Sequence, residues 1–218
     1  MLAQPAPSLS DLALAVVVLT LWAKVRGLGG VSRHWGHTFL WAGIAALAGA
    51  LHHGVIARWQ PVASVSWAVI SVVVVISLSF LLAATVEEVL GPGRHRVFWL
   101  LRSLGLVAYL ALCIAGRAGT QSILMAESVT MLCVLGLWAM ALHHRHPMGR
   151  WILVAILVSA AAAGAYGIPA DALARIDLDQ VSAYHVAQIV GMVLMYVAVV
   201  QGSDGSGKAV PVRQGTPV

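Results

Sequence analysis

The chain has 218 residues, 60% of them hydrophobic and 10% charged, with a mean hydropathy of +0.89. A water-soluble domain carries roughly 45–50% apolar and roughly 25% charged residues, so this balance excludes an ordinary soluble enzyme and fits a chain solvated mainly by a bilayer. The net charge of +5 and the pI near 9.8 would point to nucleic acid in a soluble protein, but here the basic residues stand between apolar runs, where they orient membrane helices, and nucleic acid is not an expected partner.

The opening segment "MLAQPAPSLSD" has no basic stretch before its apolar run, so that run is predicted to be a retained helix and not a cleaved leader. A helix needs about 20 mainly apolar residues to cross about 30 Å of hydrocarbon. Seven stretches qualify in chain order: 9–27, 37–56, 64–88, 97–116, 121–142, 150–168 and 181–201. The third, "VSWAVISVVVVISLSFLLAA", is rich in β-branched residues, yet an open strand cannot satisfy its backbone in lipid, so helix is expected. Ser71, Ser77 and Ser79 within it are expected to bond back to their own helix. Breakers such as "GLGG" (27–30), "GPG" (91–93), "HHRHPMG" (143–149) and "GIPADA" (167–172) separate the spans. Cys113 and Cys133 lie in apolar segments without a CxxC spacing and read as packing residues. The fold class expected is all-α, an integral membrane bundle of seven transmembrane helices over residues 1–201, followed by a disordered cytoplasmic tail over 202–218. "GSDGSGKA" in that tail imitates a phosphate loop, but Ala209 replaces the magnesium-binding Ser/Thr and no strand precedes it.

Charge sets the direction. Lys24, Arg26, Arg33, Arg94, Arg96, Arg145, Arg150, Lys208 and Arg213 fall in the odd-numbered loops and the tail, against Arg58, Arg117 and Arg175 in the even ones. That asymmetry places the N-terminus outside and the C-terminus in the cytoplasm, with Arg102 snorkelling to the cytoplasmic side. Trp22, Trp35, Trp41, Trp99, Trp138 and Trp151 cluster near that same face as an aromatic belt. Glu87 and Glu88 end the third span near Arg94 and Arg96, and interfacial ion pairs are expected there; the His-rich loop of His143, His144 and His146 reads as a solvated turn.

Direction gives depth. His52 and His53 near the end of span two, Glu127 early in span five, and His185 and Gln188 early in span seven all fall in the outer leaflet, with Asp11 and Asp179 on its rim. An ionisable residue inside a span costs several kcal/mol unless paired, so Glu127 is a functional candidate by default. His52 and His53 point about 100° apart on a helix, and one of them is expected to face the interior. His185 and Gln188 share one face of the last span with Val181 and Met192.

The last span, "VSAYHVAQIVGMVLMY", resembles the final helix of the CREST superfamily, the seven-helix membrane hydrolases that include alkaline ceramidases and adiponectin-receptor-like proteins. His185 matches the second His of that family's His-x3-His pair, Gly191 follows it, and Val181 stands where the first His would be. "LAGALHHGV" is similar to the family's second-helix motif, with His53 at its His and Gly49 at its Ser. The "YHxxQ" pattern is similar to a bacterial branch of seven-helix proteins, which implies residence in the bacterial cytoplasmic membrane. The resemblance implies zinc-dependent hydrolysis of a lipid amide or ester. The economical ligand set at that depth is His53, His185 and Glu127, with Glu127 and Gln188 as catalytic candidates, and membrane lipids and a lipid-like substrate as partners. Two other classes stand beside it: a non-catalytic receptor-like or transport-associated bundle with a degenerate pocket, and a haem protein with His53 and His185 as axial ligands.

Overall fold

The computed structural model describes residues 2–115, 120–163, 168–175 and 179–206, and among these every regular element is helical. The helices are α1 (Pro5–Val25), α2 (His34–Gly54), α3 (Gln60–Leu90), α4 (His95–Ile114), α5 (Thr120–His143), α6 (Gly149–Ala163), the short α7 (Ala170–Ala174) and α8 (Gln180–Ser206), with a 3₁₀ turn at Ile56–Arg58. Each of the seven stretches expected to span carries a helix. Among the described residues four are long and apolar enough to cross a membrane: Pro5–Val25, Gln60–Leu90, His95–Leu112 and Gln180–Asp204. Glu127–His143 and Gly149–Ala162 are shorter apolar helices.

Local chemistry sets the boundaries. Proline opens α1 and sits in the first turn of α3, where its missing N–H would have had no helical partner. Gly91 ends α3 at φ 89°, a backbone conformation that costs other residues more. The β-branched run of α3 is helical throughout, and at 1.5 Å per residue its 31 residues extend about 46 Å. At the other end of the chain α8 continues through 202–206, so the first part of the stretch read as tail is helix; residues 207–218 lie outside those described.

Six helices close a ring. α1 packs between α2 and α8, α8 on α6, α6 on α5, α5 on α3, and α3 on α2, while α4 lies outside the ring along α5 and α3. The apolar core fills one end of it: Val18, Leu21 and Val25 from α1, Trp35 and Phe39 from α2, Leu81 and Leu82 from α3, Val134 and Trp138 from α5, Ile152 and Ile156 from α6, and Met195 and Val199 from α8. Trp35 and Trp138 are fully buried with ring centroids 6.3 Å apart, so these two belong to the core and not to an interfacial belt. Each indole N–H is satisfied there, Trp138 Nε1 donating to Thr85 Oγ1 at 3.0 Å and Trp35 Nε1 to Glu88 Oε1 at 3.3 Å. Glu88 Oε1 also accepts from the Ser32 N–H at 2.6 Å, and Glu87 accepts from the Ser32 hydroxyl. These carboxylates thus serve the entry to α2, where the positive end of the helix dipole favours them, instead of the expected arginines. Ser71 and Ser79 bond back to Trp67 and Val75 as expected, whereas Ser77 donates across to the Thr38 carbonyl of α2 at 3.0 Å.

The turn from α5 to α6 is tightly made. Arg145 has φ 59° and donates its N–H to the Leu142 carbonyl at 2.9 Å, while the His146 N–H reaches the Ala141 carbonyl at 2.9 Å, the two bonds of a Schellman cap. Arginine in the left-handed region costs roughly 1 kcal/mol. Arg145→Gly should therefore stabilise the protein by about 0.5–1 kcal/mol, read as a higher melting temperature in detergent. The His146 ring is half-buried against Trp138, and its Nδ1 accepts from the Met148 N–H at 3.3 Å, which requires the neutral imidazole. Burial pushes its pKa below the ordinary 6.5, with Glu88 pulling partly the other way. The unfolded chain then takes up this proton more readily, so the contribution is complete above about pH 6.5 and is lost as pH falls through that value and the lower folded one. Melting temperature measured between pH 8 and pH 5 should fall on the acid side, and His146→Gln should flatten that slope.

Candidate functional site

The polar residues collect at the end of the ring opposite the tryptophans, where α1 begins, α2 ends and α8 begins. Two backbone bonds tie the segment before α1 to the end of α2: Ala3 N–H to Gly54 O at 2.8 Å and Gln4 N–H to His53 O at 2.9 Å. One turn further on, Ser8 Oγ donates to the Ala50 carbonyl at 2.9 Å. The facing surface of α2 is bare. A Cβ at Gly54 would stand 2.7 Å from Ser8 Oγ, and one at Gly49 would stand 2.6 Å from Asp11 Oδ2. Small residues let helix backbones approach closely in lipid, and here the approach lays the Asp11 carboxylate directly on α2, 4% exposed.

Both oxygens of that carboxylate face an imidazole. Asp11 Oδ1 lies 3.2 Å from His185 Nε2 on α8, and Asp11 Oδ2 lies 3.9 Å from His53 Nε2 on α2. The far ring nitrogens are also engaged: His185 Nδ1 is 2.9 Å from Ser10 Oγ, and His53 Nδ1 is 2.5 Å from Gln4 Oε1. Asp179 caps the first turn of α8, its Oδ1 accepting from the Ser182 N–H at 2.8 Å and its Oδ2 from the Ser182 hydroxyl at 2.9 Å. Ser182 Oγ in turn lies 3.4 Å from Ser10 Oγ. Tyr184 meets the His185 ring edge-on at 5.5 Å.

Of the residues expected to form a site, the structure brings His53 and His185 together and sets Glu127 and Gln188 apart. Glu127 is paired with Arg102 of α4: Nη2 donates to Oε1 at 3.0 Å and Nη1 to Oε2 at 3.3 Å, with Nη1 also donating to Thr130 Oγ1 at 2.8 Å. Arg102 is 4% exposed and does not snorkel, because a charge-assisted fork to a buried carboxylate offers more than a stretch to the headgroups. Gln188 donates to the Ser159 carbonyl of α6 at 3.2 Å and is a helix-packing contact. His52 and His53 both pack inside: His52 Nδ1 lies 3.2 Å from Ser66 Oγ on α3, and the Trp67 ring meets His52 tilted at 5.2 Å and His53 edge-on at 6.0 Å. The carboxylate of the site is therefore Asp11, placed on the rim by its position in the sequence but carried inward by the bare face of α2.

Asp11, His53 and His185 make a donor set of two imidazoles and one carboxylate, the combination that zinc accepts. Donors held about 2.0–2.2 Å from one tetrahedral ion stand about 3.3–3.5 Å apart. The two imidazoles meet different oxygens of Asp11, His185 Nε2 at 3.2 Å from Oδ1 and His53 Nε2 at 3.9 Å from Oδ2. As they stand, no three His, Cys, Asp or Glu side chains among the described residues are drawn to a common metal-binding point.

The model of a family described as being of unknown function, DUF6962, matches the chain over residues 6–204. No curated protein and no solved structure shows a significant match. The site's dependence on the bare α2 face is open to test. Gly49→Ala puts a methyl group 2.6 Å from Asp11 Oδ2, so it should displace the carboxylate and destabilise the protein by about 1–3 kcal/mol, read as a lower melting temperature in detergent.

Proposed function

We propose that this chain, which belongs to the DUF6962 family, is a multi-pass protein of the bacterial cytoplasmic membrane that hydrolyses a lipid amide or ester at a zinc centre held by Asp11, His53 and His185. The single observation that carries the reading is the convergence of two imidazole Nε2 atoms on the two oxygens of one buried carboxylate. A carboxylate in low-dielectric surroundings needs donors or a cation beside it, and the two imidazoles stand where either an N–H or a bound metal ion would meet its oxygens. The topology that accompanies this reading has seven spans, the N-terminus outside and the tail in the cytoplasm, which puts the three side chains in the outer leaflet beside the carbonyls of membrane lipids.

In this reading the chain's own residues divide the work. Asp11 supplies charge neutralisation and His53 and His185 supply neutral nitrogen donors. Gln4 and Ser10 hold the two rings from their far nitrogens. Trp67 screens the histidines on the α3 side. Zinc supplies Lewis-acid activation of the scissile carbonyl and of the water that attacks it. Glu127 has no part in the chemistry, since its charge is matched by Arg102. A haem between His53 and His185 is the weaker reading, because the Asp11 carboxylate occupies the approach from one ring to the other.

Metal analysis of protein purified in detergent tests this. About one zinc per chain is expected in the wild type and in Gln188→Ala, and under a tenth of that in Asp11→Ala and His185→Ala. Hydrolysis of a fluorescent long-chain acyl amide in mixed micelles should follow the zinc. A wild type without zinc, or an Asp11→Ala variant that keeps it, overturns the proposal.

A further inference from the structure

Ser10, His185 and Asp11 form a line of contacts that crosses from α1 to α8 and back. Ser10 Oγ lies 2.9 Å from His185 Nδ1, nearer than its two other polar neighbours, the Pro7 carbonyl at 3.0 Å and Ser182 Oγ at 3.4 Å. On the far side of the ring, Nε2 lies 3.2 Å from Asp11 Oδ1. A neutral imidazole has one N–H and one lone pair. With the proton on Nε2, the ring turns its N–H to the carboxylate and its lone pair to the serine hydroxyl. The opposite arrangement sets a lone pair against a carboxylate oxygen of a residue only 4% exposed, which burial penalises. Ser182 does not compete for the ring, since its hydroxyl lies 2.9 Å from Asp179 Oδ2 and donates there.

We propose that Ser10 is a nucleophile, with His185 as its general base and Asp11 as the residue that orients the ring, and that this relay transfers the acyl group of a lipid ester to water without a metal ion. A hydroxyl within hydrogen-bond reach of a base that a third group orients is the arrangement that activates serine. Burial suits these roles: Asp11 and His185 are buried and Ser10 is half-buried, so the reacting oxygen belongs to the member open to substrate. Ser10 stands about 8 Å along α1, a helix apolar enough to cross a membrane, within reach of ester carbonyls between headgroup and hydrocarbon. In the first step Ser10 Oγ bonds to the ester carbonyl carbon as its proton passes to His185 Nδ1. The C–O bond to the leaving alcohol then breaks, and Nδ1 returns the proton to that alcohol's oxygen. Water next attacks the acyl-serine, its proton passing to Nδ1 and on to Ser10 Oγ as the fatty acid leaves. This goes beyond the zinc reading and does not rest on it. An ion on Nε2 would take the place of the N–H that faces Asp11, so metal and relay are alternative states of one site.

The test uses the full chain in nanodiscs, stripped of metal with chelator, and an alkyl fluorophosphonate, which forms a stable bond with activated serines. The labelled residue is located by mass spectrometry. Label on Ser10 is expected in the stripped wild type and in Gln188→Ala, whose altered side chain packs on α6 away from the relay. The same stripped protein should hydrolyse a fluorogenic long-chain acyl ester, and Ser10→Ala should lose both label and hydrolysis. His185→Gln and Asp11→Asn should slow labelling by at least about 100-fold, the scale of a general base. The wild-type labelling rate should rise with pH through one titration, and His185→Gln should lose that dependence, which a purely structural histidine would not impose. No label on Ser10 in the stripped wild type, or undiminished labelling in His185→Gln, overturns the proposal. A protein purified without zinc that labels at Ser10 overturns the zinc reading alone, and a zinc-bound wild type whose stripped form does not label overturns the relay alone.

Discussion

The close approach of α1 to α2 is the constraint on which the site depends. Lipid tails provide no hydrophobic drive between helices, so what brings two of them together is close backbone packing and the polar contacts it permits. Gly49 and Gly54 remove the side chains that would hold α1 off, and Ser8 and the segment before α1 bond to the backbone exposed in return. Asp11 lies in the narrowest part of this contact. Its burial is thus a by-product of helix packing, and its two imidazole neighbours are what make that burial tolerable.

The two ends of the ring solve opposite problems. At the tryptophan end large side chains interlock, and the two buried indoles of Trp35 and Trp138 donate to Glu88 and Thr85. At the histidine end the buried surfaces are small or polar, and cohesion comes from hydrogen bonds linking the beginnings of α1 and α8 to the end of α2. A rigid apolar base beneath a polar head is a suitable scaffold for a site, because positional precision is inherited from packing that the site itself need not supply.

Helix positions were legible in the sequence because a long apolar run in lipid has few alternatives, and even the β-branched third span obeyed that rule. The pairing of His53 with His185 was also legible, since span direction alone put them at one depth. What could not be read was azimuth. Glu127 shares the level of the histidines, yet faces α4, and the arginine that meets it lies 25 positions away with nothing local to announce it. The signal for Asp11 was present and undervalued: a carboxylate one turn inside the first span, opposite a run of α2 with glycines at 49 and 54. Gly49, which stands at the serine position of the second-helix motif, makes room for the acid by its lack of a side chain. Trp35 and Trp138 show the same limit, since a belt residue and a core residue at one depth differ only in which way they point.

The Arg102–Glu127 fork has a consequence for how α4 is held. α4 lies outside the ring, and within α4 and α5 these two side chains are charges that a helix alone would carry into hydrocarbon at about 2.5–3.5 kcal/mol each. Paired, they present the bilayer with a neutral, internally bonded unit, Thr130 included. α4 and α5 therefore depend on one another, since separating them in an apolar medium would leave both charges without a partner. The peripheral α4 is thus held chiefly by the helix that carries its counter-charge, beside a ring that closes without it.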